Sequence, residues 1–329
     1  MLAERLDHFI ARANAQYYAC HDPFADFTTA PEISQIFGEV LCIWSIATWH
    51  RLNRPAPFLL VEPGPGRGTL MADILRTARK AAPDFHAAAR VHFIETSPTL
   101  RARQASVVPD ATWHDSLATL PAGPMILLAN EFLDALPIRQ FVHRPHGWTE
   151  RYVANGTWVE QMLPAEEALI VPPRPGLRDG AIVEINEPSR SFVTVVAKRI
   201  VAEAGAALFV DYGPAESAAG DSFQAIAQRR MTEPLADPGH ADLTAHVDFA
   251  DLAAQAQAAG AQTHGPLPQG AFLAAWGLFD RARSLVSLRS DHAASIQQAA
   301  QRLTDPAQMG MLFKVLAITP PGWSDVLRP

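Results

Sequence analysis

Phe58-Leu59-Leu60-Val61-Glu62-Pro63-Gly64-Pro65-Gly66-Arg67-Gly68-Thr69-Leu70 is the stretch from which the fold can be read. Four consecutive apolar residues mark a strand buried on both faces, as in parallel sheets. A glycine-rich turn ends it, and a helical pattern takes over across residues 70–81. Strand, glycine turn and helix form the opening unit of a doubly wound α/β fold. Backbone comes up to a ligand at that turn, because glycine carries no Cβ.

The same alternation continues outward. Val91-His92-Phe93-Ile94, Ala111-Thr112-Trp113, Met125-Ile126-Leu127-Leu128-Ala129 and Ala206-Ala207-Leu208-Phe209-Val210 are further runs of strand length, with helical segments over 98–105 and 188–204. The pattern predicts a doubly wound, mostly parallel Rossmann-like sheet with helices on both faces. Phe313-Lys314-Val315-Leu316-Ala317-Ile318 adds a terminal strand.

Residues 138–185 break the alternation. Gln140-Phe141-Val142-His143, Thr149-Glu150-Arg151-Tyr152-Val153 and Thr157-Trp158-Val159-Glu160 read as antiparallel strands, separated by Pro145-His146-Gly147 and Asn155-Gly156. This is a β-rich insertion between the fourth and fifth strands. Residues 1–19 and 32–52 read as helices; Thr29 and Glu32 have capping-box spacing, and Pro31 sits in the first turn. Residues 214–241 read as a long loop or lid, and 248–260 and 269–303 as helices. The expected division is an N-terminal helical cap (1–57), a ligand-binding core (58–137 with 186–329) and the insertion (138–185).

Composition narrows the function. The chain has 329 residues, 48% hydrophobic and 19% charged, which excludes wholesale disorder. A formal net charge of -7 gives no basic footprint for nucleic acid. Two cysteines, Cys20 and Cys42, are too few for a thiolate zinc cage. The longest apolar runs fall well short of the ~20 residues that span a bilayer, so no membrane insertion is expected. The N-terminus lacks an apolar signal core, and Glu4 and Asp7 argue against a transit peptide; a cytoplasmic location is expected.

The glycine loop discriminates between ligands. Its pattern is GxGxG at Gly64, Gly66 and Gly68, not the GxGxxG of dinucleotide sites, and no Gly-Lys-Ser/Thr follows. Pro63 and Pro65 remove two N–H donors a pyrophosphate would need, and Glu62 adds a repelling carboxylate. S-adenosylmethionine (SAM) carries an ammonium and a sulfonium and has no phosphate, so it suits this acidic turn. Glu95, closing the second strand, is placed for the ribose hydroxyls; Asp115 and Ser116, after the third, for the adenine. Each acid alone also fits a solvated strand-end carboxylate or a helix cap.

Asn130, Glu131 and Asp134 follow the fourth strand, at the carboxyl edge of the sheet where ligands sit in doubly wound folds. Glu131 suits substrate orientation or proton removal, Asn130 an amide contact near the methyl and to the cofactor, and Asp134 shares the face of a helical turn with Glu131. The alternative makes Asn130 a helix cap and the two acids first-turn residues. Glu32, Gln35, Tyr212 and His246 are further substrate-side candidates. His240, Asp242, His246 and Asp248 lack metal-ligand spacing, so no metal is expected.

These motifs carry a resemblance. Thr28-Thr29-Ala30-Pro31-Glu32-Ile33-Ser34-Gln35-Ile36-Phe37-Gly38-Glu39, the glycine loop, Asn130-Glu131-Phe132-Leu133-Asp134-Ala135-Leu136-Pro137, Asp211-Tyr212-Gly213, Asp242-Leu243-Thr244-Ala245-His246-Val247-Asp248-Phe249 and Met309-Gly310 with Phe313-Lys314-Val315-Leu316 are similar, in order, to the MidA-like family. That family includes a mitochondrial complex I assembly methyltransferase. The resemblance implies a class I SAM-dependent methyltransferase acting on arginine of a protein substrate such as a respiratory-complex subunit. A small-molecule methyltransferase and a non-catalytic SAM-binding assembly factor are the alternatives. The oligomeric state stays open, a homodimer included. Two stretches depart from the family pattern: Pro23-Phe24-Ala25-Asp26-Phe27, which lacks the usual glycine, and residues 221–234.

Overall fold

The computed structural model describes residues 3–20, 28–174 and 176–329, so the divergent 23–27 stretch lies outside the described residues. The chain forms two compact units. One comprises Met1–Phe27, Leu133–Ser191 and Glu216–Val247; the other comprises Thr28–Phe132, Phe192–Ala215 and Asp248–Pro329.

The second unit holds a seven-stranded sheet of β2 (Phe58–Pro63), β3 (Ala89–Ile94), β4 (Thr112–His114), β5 (Met125–Asn130), β10 (Gly205–Tyr212), β14 (Gln262–Pro268) and β15 (Phe313–Thr319). Its order is β14-β15-β10-β5-β2-β3-β4. The strands from β10 to β4 pair in parallel, and β15 runs antiparallel between β10 and β14. The chain winds from β2 outward to β4, then crosses to β5 on the other side of β2. The carboxyl ends of β2 and β5 are therefore the topological switch point, where ligands sit in such sheets. Strand β14 escapes sequence reading: Gln262-Thr263-His264-Gly265-Pro266-Leu267-Pro268 has neither an apolar run nor a clean alternation. It is held by pairing with the wholly buried β15, with a register shift between His264 and Leu267.

Among the described residues, the helices built largely from this unit are α2 (Ala30–Ile33), α3 (Gln35–Arg51), α4 (Thr69–Ala81), α5 (Pro83–Ala88), α6 (Pro98–Val107), α8 (Phe249–Ala258), α9 (Gln269–Ala275), α10 (Leu278–Leu288) and α11 (Ala293–Thr304). The short α12 (Met309–Leu312) leads into β15, and α7 (Glu187–Glu203) into β10. The expected helix 32–52 is in fact broken. Ser34 is extended (φ -160°) and its Oγ accepts from the N–H of Ile36, capping α3. Thr29 makes no side-chain cap, so the capping box is absent. The expected helix 269–303 also breaks, first where Gly277 turns left-handed (φ 90°) and again at residues 289–292. Helix α3 packs on α4 through Gly38. A Cβ there would lie 2.7 Å from Cβ of Asp73. Gly38→Val is expected to lower unfolding stability by about 2 kcal/mol, read as a shifted urea midpoint; an unshifted midpoint would contradict this close packing.

The first unit is β-rich. One sheet contains β1 (Glu4–Arg5), β6 (Arg139–Arg144), β7 (Gly147–Ala154), β8 (Thr157–Met162) and β9 (Ile182–Ile185), ordered β1-β7-β6-β9 with β8 also on β7. Asn155 and Gly156 are both left-handed (φ 52° and 71°), which turns β7 into β8. A second sheet, β12-β11-β13, is made by β11 (Gln224–Ala227), β12 (Arg230–Thr232) and β13 (Asp242–Thr244). Part of the stretch expected to be loop thus forms strands, despite its Pro and Gly content. Helix α1 (Leu6–Cys20) buries Leu6, Phe9, Ile10 and Ala13 in a cluster with Ile138, Val153, Phe223, Ala225 and Leu243.

Candidate functional site

The glycine loop leaves β2 at the switch point. Gly64, Gly66 and Gly68 all have positive φ (58°, 55° and 82°), a conformation that side chains other than glycine rarely adopt. The loop is tied to its neighbours by Gly64 N–H to the carbonyl of Ile94 (2.9 Å) and Gly68 N–H to that of Pro65 (2.7 Å). At Gly64 a Cβ would meet Phe132 at 2.9 Å, and at Gly68 it would meet Val107 at 3.0 Å. These two glycines therefore also serve the protein's own packing, a demand the sequence does not display.

Glu62 is 4% exposed, and its Oε2 has no hydrogen-bond partner among the described residues. Burial raises its pKa well above the carboxylate norm. A buried carboxylate without a partner is costly unless a donor arrives from outside. The ammonium of an amino-acid moiety meets that need, and restores the ionised form. Beside it, α4 begins at Gly68 without a side-chain cap, leaving first-turn N–H groups suited to a carboxylate. Glu95 ends β3 at 9% exposure. Its Oε1 accepts from the Ser97 N–H (2.8 Å) and its Oε2 from Gln104 Nε2 (3.1 Å). Each oxygen keeps a lone pair for a diol. The residues present thus fit SAM: Glu62 and the α4 terminus for the amino-acid end, Glu95 for the ribose.

The expected adenine side is less built. Asp115 is 81% exposed at its side chain and pairs with Arg101 at 2.6 Å. Ser116 is exposed, and its carbonyl accepts from Thr119 Oγ1 (3.0 Å). Behind Glu95, His92 Nδ1 and His114 Nε2 share a hydrogen bond (2.9 Å), and the His114 carbonyl accepts from the Glu95 N–H. Burial, with His114 and Arg199 near it, lowers the His92 pKa from 6.5 to about 4. Between those values the unfolded chain binds a proton that the folded one refuses. Stability from this group is therefore lost as pH falls from about 6.5 towards about 4. The melting temperature of the wild type is expected to drop more steeply than that of His92→Asn between pH 7 and pH 5. Parallel curves would contradict the assignment.

At the end of β5, Asn130 Oδ1 is buried without a hydrogen-bond partner among the described residues, while its Nδ2 donates to Glu131 Oε1 (3.1 Å). Glu131 is left-handed (φ 49°), unusual for a residue with a side chain. Its N–H donates to the carbonyl of Val210 (2.9 Å), and its Oε1 accepts from the N–H of Ala30 (3.0 Å). No helix follows: residues 131–137 are turns and bends. The expected helical turn shared by Glu131 and Asp134 is corrected on this point, as is the alternative of a capped helix. Pro137 and the left-handed Glu131 both oppose helix formation there. Asp134 belongs to the first unit, where its carbonyl accepts from the Ala245 N–H (3.0 Å).

The remaining candidates separate. Glu32 reaches the glycine loop's helix: its Oε1 accepts from Thr69 Oγ1 (2.6 Å), and Arg67 stands 4.0 Å from its Oε2. Gln35 instead donates to Glu39 (3.1 Å), which Arg281 clasps with two bonds (2.7 and 3.0 Å). This ties α3 to α10. Tyr212 packs its ring 5.6 Å from that of Phe313. His246 lies in the first unit, exposed, its N–H donating to Ser222 Oγ (2.9 Å). The second unit thus brings together Glu62, the three glycines, Glu95, Asn130, Glu131 and Glu32. Sequence reading missed Gln104, Phe132 and Thr69, whose signals are tertiary. Among the described residues no cluster of three or more His, Cys, Asp or Glu could hold a metal ion, and no helix is long and apolar enough to cross a membrane.

Comparison with known proteins agrees with the geometry. A family model described as a putative S-adenosyl-L-methionine-dependent methyltransferase matches residues 40–267. The mitochondrial protein arginine methyltransferase NDUFAF7 homolog of Drosophila melanogaster is 34% identical, over 97% of this chain and 81% of its own. Human mitochondrial protein arginine methyltransferase NDUFAF7 is 32% identical, over 97% and 80%. A COG1565 superfamily member from Burkholderia thailandensis, solved with S-adenosylhomocysteine bound, superposes with a TM-score of 0.83 at 25% identity, covering 99% of this chain and 90% of that one. The cytoplasmic expectation is corrected by these relatives, which are mitochondrial; an N-terminus without an apolar core does not by itself give an address. The fold is that of a methyltransferase whose cofactor is SAM, and the chain belongs to the MidA-like family of S-adenosyl-L-methionine-dependent methyltransferases.

Proposed function

We propose that the protein transfers a methyl group to a guanidinium nitrogen of an arginine in a protein substrate, a respiratory-complex subunit being the acceptor its family resemblance implies. The observation that carries this reading is Asn130 Oδ1, a buried acceptor without a partner among the described residues, set beside the Glu131 carboxylate at the switch point. A guanidinium offers planar N–H donors for both groups. The names of the curated relatives support the same acceptor chemistry.

When bound, SAM supplies a methyl group on a sulfonium. The chain's own part is to hold and aim the acceptor, and to take its proton. Asn130 Oδ1 accepts one N–H and fixes the plane of the guanidinium. Glu131 draws positive charge to its side, which leaves the opposite nitrogen richer in electrons. It then receives the proton released as the N–C bond forms. Its strained backbone is held by the bonds to Val210 and Ala30, so the carboxylate is oriented before substrate arrives. The proposed cofactor contacts are Glu62, Gly64, Gly66, Gly68 and Glu95, with Asp115 and Ser116 at the adenine end.

The test is incubation with SAM labelled in its methyl group and a lysate from cells lacking this protein. A labelled protein band that yields methylated arginine on acid hydrolysis is expected. Label confined to small molecules would reject the protein acceptor, and label on another residue type would reject arginine.

A further inference from the structure

We infer that Gln104 is a positioning residue for cofactor binding, acting through a single fully used amide. This rests on the cofactor placement proposed above. Gln104 lies on α6 and is fully buried. Its Nε2 donates twice: to the Gly66 carbonyl in the glycine loop (2.8 Å) and to Oε2 of Glu95 (3.1 Å). Its Oε1 accepts from the Trp113 indole N–H on β4 (2.8 Å). One side chain thus joins the turn after β2, the acid ending β3 and strand β4. The first two of these are the proposed contacts for the cofactor's amino-acid end and ribose.

The orientation of the amide is fixed by Trp113. An indole nitrogen only donates, so the amide oxygen must face it and the NH₂ must face the loop and Glu95. Flipping the amide would set its NH₂ against the indole N–H and its one oxygen against the Gly66 carbonyl and Oε2 of Glu95. The same NH₂ holds one lone pair of Glu95 and so leaves the rest of that carboxylate aimed outward. It also bonds the backbone at Gly66, in the left-handed turn (φ 55°) that opens the loop. These three bonds reach neither the acceptor groups Asn130 and Glu131 nor the reacting atoms. Removal of Gln104 should therefore act on cofactor affinity rather than on the chemical step.

Chemistry separates this from a purely structural role. In Gln104→Glu the side chain keeps its size, and as a carboxylate it has no proton for Gly66 and repels Glu95. Protonated, it regains one donor. Its defect should therefore shrink as pH falls, whereas lost packing would not be restored by acid. In Gln104→Leu both donors are gone at every pH.

The experiment is calorimetric titration of S-adenosylhomocysteine into the full chain, with wild type, Gln104→Glu, Gln104→Leu and Glu95→Ala compared at pH 8 and pH 6, each checked for folding by circular dichroism. Gln104→Glu is expected to weaken binding at least ~10-fold at pH 8, and by several-fold less at pH 6. Gln104→Leu should lose ~10-fold at both. At saturating SAM, kcat of Gln104→Leu should stay within about threefold of wild type while KM for SAM rises. Wild-type affinity in a folded Gln104→Leu, beside a weakened Glu95→Ala, would overturn the inference alone. Wild-type affinity in Glu95→Ala would overturn the cofactor placement beneath it. If Gln104→Leu does not fold, the pH dependence of Gln104→Glu decides: a deficit unchanged between the two pH values overturns the inference.

Discussion

Gly66→Val is expected to abolish binding of S-adenosylhomocysteine, with affinity down at least ~100-fold, while the protein stays folded. Gly66 has φ 55°, where a β-branched residue is strongly strained. The strain costs ~1–3 kcal/mol, within the ~5–15 kcal/mol by which domains are usually stable. The turn has two routes of escape, and both damage the site. If the backbone relaxes, the Gly66 carbonyl leaves Gln104 and the link from the loop to Glu95 is lost. If it does not, the isopropyl group stands where backbone alone should meet the ligand. Calorimetry with a circular dichroism control reads the outcome. Unchanged affinity in a folded variant would place the cofactor elsewhere.

Glu131→Gln carries the second large effect, on turnover instead of binding. The amide oxygen of glutamine can still accept from the Ala30 N–H, so the left-handed turn and the segment it holds should persist. The negative charge is gone. A guanidinium then loses the group that localises its charge and receives its proton, which is expected to lower kcat by ~100-fold or more. KM for SAM should change less than threefold, because the bonds that hold Glu95 and the glycine loop run to Ser97, Gln104, Ile94 and Pro65 and not to Glu131. A variant with wild-type kcat would remove Glu131 from the proposed mechanism, and a collapse of cofactor binding instead would reassign it to the cofactor side.

Much of this site is legible in the amino-acid sequence. The glycine loop can be read because backbone conformation constrains residue type locally: only glycine is at ease at φ 58°, 55° and 82°. Glu62, Glu95 and Asn130 can be placed because each lies at the end of a buried strand, and strand ends in a parallel sheet converge on one edge. The turn after β5 is not legible in this way. Acids three apart suggest a helix face, but Glu131 adopts a left-handed backbone to bond Val210 and Ala30. Those partners are distant in the chain, and no local pattern encodes them.

The sequence by itself determined the parallel sheet, the glycine turn and the acidic character that excludes a phosphate ligand, since these follow from short-range sterics and charge. Tertiary structure alone decided where the polar bonds close. It broke the expected helix at Ser34, sent Glu32 to Thr69 instead of into a capping box, and turned Gln35 towards Glu39. It also formed β14 and the β11–β13 sheet from stretches with weak strand signals, and buried Gln104 where the ends of three strands meet. A buried donor or acceptor must find a partner wherever the packed chain offers one, and that demand acts through space rather than along the sequence.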